Sequence, residues 1–163
     1  MQVTQLLKEN KKKQALEYIN NYLSNNPNDP QMIFWKAKIL NESSLPTDRE
    51  EAFQLYSSLT EDYPELAEPH NNLAVIFAAQ GDYSKAVHYF ELALKANPGY
   101  ALASENLADL YVQLASKYYQ RAIDTDPTNK TSKTKLDKIN TQPSSQLPLE
   151  PASKTQPNSL NQK

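Results

Sequence analysis

An alanine followed twelve residues later by a proline occurs four times along this chain. The pairs are Ala15 with Pro27, Ala52 with Pro64, Ala86 with Pro98, and Ala115 with Pro127. A bulky apolar residue lies four positions after each alanine, namely Ile19, Tyr56, Phe90 and Tyr119. A pattern that keeps its register four times indicates an internal repeat, and such repeats form arrays in which each unit packs on its neighbours.

The third unit indicates that each repeat is a pair of helices. Its second half has apolar residues at a helical period, at Ala86, Val87, Phe90, Ala93 and Leu94. Gly81 and Asp82 separate this stretch from an apolar first half, because glycine suits the residue that ends one helix and aspartate caps the next. Asn97-Pro98 ends the second helix. The unit therefore predicts a helix, a tight turn and a second helix.

The same unit contains the motif His70-x2-Leu73-Ala74-x2-Phe77, followed by Ala86-x3-Phe90 and Pro98. This motif resembles the tetratricopeptide repeat, although His70 and Ala74 stand where that family prefers Trp and Gly. The distance from Pro64 to Pro98 is 34 residues, which is the length of one such repeat. The resemblance covers residues 1–127 and implies an all-α fold, a short right-handed α-solenoid of helix pairs.

The domain boundaries follow from how the other units depart from this pattern. We predict a partial repeat at 1–27, repeats at 28–64 and 67–98, and a degenerate repeat at 101–127. In the degenerate repeat, Leu107 lies 8 residues before Ala115, whereas Leu73 lies 13 residues before Ala86. The turn between its two helices is therefore missing. Because no Gly or Pro interrupts the stretch, we predict one continuous helix of about 22–25 residues.

Residues 128–163 form a tail of different composition. Four lysines, at Lys130, Lys133, Lys135 and Lys138, precede a stretch rich in Pro, Ser, Gln and Asn. Prolines at 143, 148, 151 and 157 oppose a helix in that stretch, so we predict a disordered tail. A short extra turn around Leu136 and Ile139 is the alternative. The tail carries 6 basic and 2 acidic residues, against 11 basic and 17 acidic residues in 1–127.

The composition excludes several classes of site. The chain has no cysteine, which excludes disulfides and thiolate metal sites. Neither of the two histidines has a second ligand at metal spacing, and we interpret His70 as a packing residue and His88 as an exposed one. No esterase, metalloprotease or phosphate-loop motif is present, and the net charge is −2. The sequence therefore indicates no enzyme, no cofactor, no metal and no nucleic-acid partner.

The compartment stays open. No apolar run approaches the ~20 residues that a membrane span needs, and the N-terminus has no apolar stretch that resembles a signal peptide. The string at 59–66, running into Asn71-Asn72-Leu73-Ala74, resembles small bacterial repeat proteins that are often exported. The chain is therefore cytoplasmic as given, or periplasmic or exported if an N-terminal signal is missing from this sequence.

The family resemblance implies that the first helix of each pair lines a concave groove, which receives an extended peptide or a helix of a partner protein. In this chain the predicted groove residues are Phe34, Trp35, Lys38, Asn71, Asn72, Glu105, Asn106 and Asp109. Asparagine amides can bind the main chain of a ligand, and the two aromatic rings would anchor an apolar side chain. The alternatives are that Trp35 packs against the first repeat, and that Asn71 and Asn72 lie on a solvated helix face.

The charge of the groove favours one class of peptide. Related domains that bind the C-terminal carboxylate of a chaperone use several cations, of which Lys38 is a counterpart here. Glu105 and Asp109 stand where such a clamp needs further cations, and they would repel a carboxylate. We therefore predict a neutral or basic peptide rather than a C-terminal carboxylate.

A second hypothesis is a self-assembling structural protein. The second half of the long fourth-repeat helix would overrun the array and expose Tyr118, Tyr119 and Ile123. An incomplete last repeat lacks the polar cap that an array needs for solubility. A homodimer through these three residues would cover that end.

Overall fold

The computed structural model describes residues 2–141 and 148–152, which contain eight α-helices and no β-strand. The helices are α1 (Gln2–Lys8), α2 (Lys12–Leu23), α3 (Pro30–Asn41), α4 (Pro46–Asp62), α5 (Ala67–Ala79), α6 (Tyr83–Ala96), α7 (Ala101–Thr125) and α8 (Lys130–Asn140). Each helix contacts its neighbours along the chain, and α5 also contacts α7. This nearest-neighbour packing is typical of an α-solenoid and confirms the predicted fold class.

The helix boundaries have local causes. Asp29 caps α3 by accepting a hydrogen bond from the main-chain N–H of Met32 at 2.9 Å, and Pro30 is the first helical residue. Asp82 caps α6 in the same way through the N–H of Lys85, at 3.2 Å. The tight turn before Asp82 needs Gly81, whose φ of 81° is costly for residues with a side chain.

The core consists of two hydrophobic clusters. The smaller cluster joins α1, α2 and α3 and contains Val3, Ala15, Ile19, Met32, Trp35 and Ile39. The larger cluster extends from α3 to α7 around Phe34, Tyr56, Leu73, Phe90 and Leu110. Ala74 and Ala86 are fully buried in it, and their small side chains let α5 and α6 approach closely beside the Phe90 ring.

Helix α7 confirms the fused fourth repeat. It runs without a break over 25 residues, about 37 Å. Leu110 and Ala103 in its first half are buried against the third repeat.

No helix among the described residues is both long and apolar enough to cross a membrane.

The structure differs from the predicted disorder over part of the tail. Asn129 caps α8 by accepting from the N–H of Ser132 at 2.9 Å, and the half-buried Leu136 and Ile139 lie on a helix that packs on α7. An ordered segment also occurs at 148–152. Burial of a few apolar side chains and a good N-cap stabilise α8 in spite of its lysines. The disorder predicted for 142–147 and 153–163 concerns residues outside the described part.

Candidate peptide-binding groove

Three buried asparagines line one surface of α5 and α7. Asn72 and Asn106 each precede the leucine of the repeat motif and lie 34 residues apart, so they occupy equivalent positions in successive repeats. Asn106 Nδ2 donates to Asn71 Oδ1 at 2.9 Å, and Asn71 Nδ2 donates to Asn72 Oδ1 at 3.3 Å. We call these three residues the amide ladder. Because Asn71 and Asn72 are buried, the alternative that they lie on a solvated helix face is wrong.

The amide ladder binds a segment of the same chain, residues 148–152, which we call the docked segment. Glu150 donates its main-chain N–H to Asn106 Oδ1 at 2.8 Å and accepts from Asn106 Nδ2 at 2.7 Å. Asn71 Nδ2 also donates to the Glu150 carbonyl at 3.3 Å. One side-chain amide therefore pairs with both polar main-chain groups of one residue, as a neighbouring β-strand would.

The contact continues two residues further along the docked segment. The N–H of Ala152 donates to Asn72 Oδ1 at 2.6 Å. The main-chain N–H groups of residues 150 and 152 both donate to the amide ladder. Pro151 lies between them, so its lack of an N–H removes no hydrogen bond to the ladder. Asn72 and Asn106 are thus spaced to bind alternate residues of one peptide.

Side chains of the docked segment contribute at two positions. Ala152 is 1% exposed and joins the larger hydrophobic cluster, and the half-buried Leu149 packs against the same cluster. The side chains of Pro148, Glu150 and Pro151 are exposed. The groove therefore binds main chain, one small side chain and one apolar side chain.

Two predicted groove residues lie elsewhere. Phe34 is 1% exposed and packs on Tyr56 with ring centroids 5.8 Å apart, and Trp35 is 6% exposed in the smaller cluster. Both rings are buried in the core, so the prediction that they anchor a ligand is wrong. Trp35 packs against the first repeat, which was the alternative. Adjacent residues of a helix point about 100° apart, so each ring enters a different cluster.

The three charged residues predicted for the groove lie on α3 and α7. Lys38 is half-buried, with Nζ 5.1 Å from the centroid of the Trp35 ring, and burial lowers its pKa. Glu105 is exposed and Asp109 is half-buried on α7, on either side of Asn106. Both acids leave negative charge beside the ladder.

The predicted self-association residues are only partly exposed. Helix α8 packs on α7, and Lys135 Nζ lies 5.5 Å from the centroid of the Tyr119 ring. Tyr119 and Ile123 are half-buried, whereas Tyr118 is 63% exposed. The sequence predicted that all three are exposed, because it indicated a short extra turn around Leu136 and Ile139 only as an alternative and not an 11-residue α8 that packs on α7.

Sequence reasoning also missed the docked segment and a buried hydroxyl beneath the groove. The Tyr56 hydroxyl is fully buried beside the Asn72 side chain, and neither this hydroxyl nor Asn72 Nδ2 makes a close hydrogen bond within residues 2–141 and 148–152. Burial raises the pKa of Tyr56, so the hydroxyl stays protonated. The docked segment was not predicted because Pro148 and Pro151 are typical of disorder, although proline equally favours an extended conformation.

No group of three or more potential metal-binding side chains occurs in the part of the chain that the structure describes.

Comparisons with known proteins agree with this architecture. The sequence model of the tetratricopeptide repeat matches residues 67–100, which contain α5 and α6. The mouse protein O-mannosyl-transferase TMTC1 is 37% identical over 100 residues, and the chloroplastic tetratricopeptide repeat domain-containing protein PYG7 of Arabidopsis thaliana is 31% identical over 83 residues. These alignments cover 59% and 48% of this chain, but only 10% and 28% of those proteins.

A third relative aligns over more of its length. Protein ycf37 of Cyanophora paradoxa is 28% identical over 141 residues, which is 83% of this chain and 75% of that protein. The shared part of TMTC1 is a tenth of that transferase. Of these three relatives, PYG7 is described as a protein with a tetratricopeptide repeat domain, which agrees with the repeat architecture of this chain.

Proposed function

We propose that this chain, which is a tetratricopeptide-repeat protein, is a non-enzymatic scaffold that binds an extended segment of a partner protein in the groove between α5 and α7. The observation that carries the proposal is the hydrogen bonding of Asn106 to both main-chain groups of Glu150. Proteins that bind peptides through the main chain obtain affinity from such bonds and specificity from pockets for alternate side chains.

The burial of the amide ladder supports a binding role. Hydrogen-bond partners stabilise buried amides, because each unpaired donor or acceptor costs about 1–3 kcal/mol. The ladder obtains partners for Asn72 Oδ1 and for both polar atoms of Asn106 from an extended main chain, whereas Asn72 Nδ2 makes no close hydrogen bond within the described residues. In an empty groove, these atoms would have to form hydrogen bonds with water instead.

The partner that fits is a neutral or basic internal segment. Glu105 and Asp109 flank Asn106 and disfavour a terminal carboxylate. The docked segment itself continues past Ala152 in the sequence, so its contact with the ladder needs no chain end. Lys38 remains a predicted contact at the α3 side of the groove.

Selection from a library of random displayed nonapeptides tests the proposal. The bait is the full chain, and selected peptides are measured on the wild type and on Asn72→Ala/Asn106→Ala. Loss of about three main-chain hydrogen bonds, at about 1 kcal/mol each, predicts binding about 140-fold weaker on the double variant. Ser104→Ala, an exposed position on the same helix, is the matched control and should bind like the wild type. Peptides that bind both baits equally would place the site elsewhere.

A second candidate function is self-assembly, which the exposure of two tyrosines favours. Tyr111 and Tyr118 are 50% and 63% exposed and lie seven residues apart on one face of α7. A dimer through this face would bury both rings. Sedimentation at increasing concentration should reveal it, and Tyr118→Ser should abolish it. A monomer at every concentration argues against this candidate.

A further inference from the structure

The groove of this chain already contains a peptide, the docked segment at 148–152. We propose that the docked segment is an intramolecular competitor, which a partner must displace and whose pattern of side chains the partner shares. This inference rests on the proposed function of the groove. It gives the tail a regulatory role, and it predicts which types of side chain the partner's segment carries at each position.

The contacts of the docked segment are those of a ligand rather than of a helix-array element. Its hydrogen bonds to the ladder come from main-chain groups of Glu150 and Ala152, and they end on side chains of α5 and α7. Main-chain recognition is indifferent to which chain supplies the peptide. A partner segment of the same shape can therefore replace residues 148–152 one for one.

The side-chain environment defines the partner's pattern. At the position of Ala152, a fully buried site accepts only a small residue, and at the position of Leu149 an apolar residue packs on the core. The side chain at position 150 is free because that of Glu150 is exposed. Proline is excluded at positions 150 and 152, where the N–H donates, but fits between them. From position 149 to position 152, the partner's pattern is therefore an apolar residue, any residue except proline, any residue including proline, and a small residue other than proline.

The covalent connection makes the competition effective but reversible. In the sequence, the end of α8 and the docked segment are separated by seven residues, 141–147, and a chain of that length spans at most about 25 Å. A segment tethered so closely has an effective concentration of about 1 mM. If the free peptide binds at about 100 µM, the tethered copy weakens a competing peptide of the same sequence about tenfold.

Proline substitutions in the full chain test this competition without altering the groove. Glu150→Pro/Ala152→Pro removes the two N–H groups that donate to the ladder, whereas Glu150→Ala/Pro151→Ala changes only exposed side chains and is the matched control. The probe is a fluorescein-labelled synthetic peptide with the sequence of residues 146–154, and fluorescence anisotropy measures its affinity. We expect about tenfold tighter binding to the proline variant than to the wild type and to the control.

A second measurement keeps the result unambiguous. Hydrogen exchange followed by NMR on the wild type reports whether the Glu150 and Ala152 amides are protected, as docking requires. Unprotected amides, or equal probe affinity for the wild type and the proline variant, would overturn the competition. In the case of equal affinity the groove still binds peptide and the proposed function stands.

The remaining outcomes also decide the matter. Protected amides combined with no probe binding to the proline variant would mean that residues 148–152 are a fixed part of the fold, which overturns the inference. The proposed function would then depend on the peptide selection alone. A probe affinity of the wild type that changes with protein concentration would overturn intramolecular docking in favour of exchange of the segment between copies.

Discussion

Truncation of Ile19 tests whether the two hydrophobic clusters of the array unfold separately. Ile19 is fully buried on α2 and belongs to the smaller cluster together with Trp35, the only tryptophan in the sequence. In an array of nearest-neighbour units, a cavity at one end destabilises that end first. Trp35 fluorescence reports on the smaller cluster, whereas far-UV circular dichroism reports on all the helices.

The expected loss of unfolding free energy follows from the carbon atoms removed. Ile19→Ala deletes three carbons, which at about 0.8 kcal/mol each gives about 2.4 kcal/mol, and the residual cavity raises the loss to about 3–4 kcal/mol. Ile19→Val deletes one carbon and should lose about 1 kcal/mol. With a urea dependence of about 1 kcal/mol/M for so small a unit, the valine variant should shift the Trp35 midpoint by about 1 M.

Urea titrations followed by both signals measure these shifts. We expect the Trp35 midpoint of Ile19→Val to fall by about 1 M, while most of the circular-dichroism transition stays at the wild-type midpoint. Ile19→Ala should already show a red-shifted Trp35 emission in buffer. Glu17→Ala, exposed on the same helix, is the control and should change neither signal. If fluorescence and circular dichroism shift together, the array unfolds as one unit and the reasoning is refuted.

Three further predictions concern individual side chains. Tyr56→Phe removes a buried hydroxyl that lies beside the Asn72 amide and leaves Asn72 Nδ2 without a polar neighbour, so it should lower the unfolding free energy by about 1 kcal/mol, and an unchanged or higher stability in urea would contradict this contact. Gly81 has a φ of 81°, so Gly81→Ala should lose about 1 kcal/mol in thermal unfolding and Gly81→Asn less; equal losses would contradict the backbone argument. Burial lowers the pKa of His70 below its ordinary value of about 6.5, so the unfolded chain binds the proton more tightly. Stability should therefore fall as the pH drops below about 6.5, and urea midpoints at pH 5.5 and 7.5 should differ less in His70→Phe than in the wild type.

Much of the fold was predictable because its signals are local and periodic. The Ala and Pro spacing indicated the helix pairs, Gly81 and Asp82 indicated the turn of the third repeat, and the absence of Gly and Pro indicated the continuous α7. The asparagines of the groove were also found, because the repeat fixes which helix positions share a face. The directions of Phe34 and Trp35 were not predictable, since a helix between two neighbours has two buried faces.

By itself, then, the sequence determined the repeat, its helices and the face on which the asparagines lie. Only the tertiary structure decided what those asparagines bind. The partners are 79 and 80 residues away, in the pairs Asn71 with Glu150 and Asn72 with Ala152. The physical reason is that the contact uses main-chain N–H and C=O groups, which nearly every residue possesses. In a hydrogen bond between a side-chain amide and the main chain, only the asparagine can be recognised in the sequence. The residue that supplies the main-chain group can be identified only from the tertiary structure.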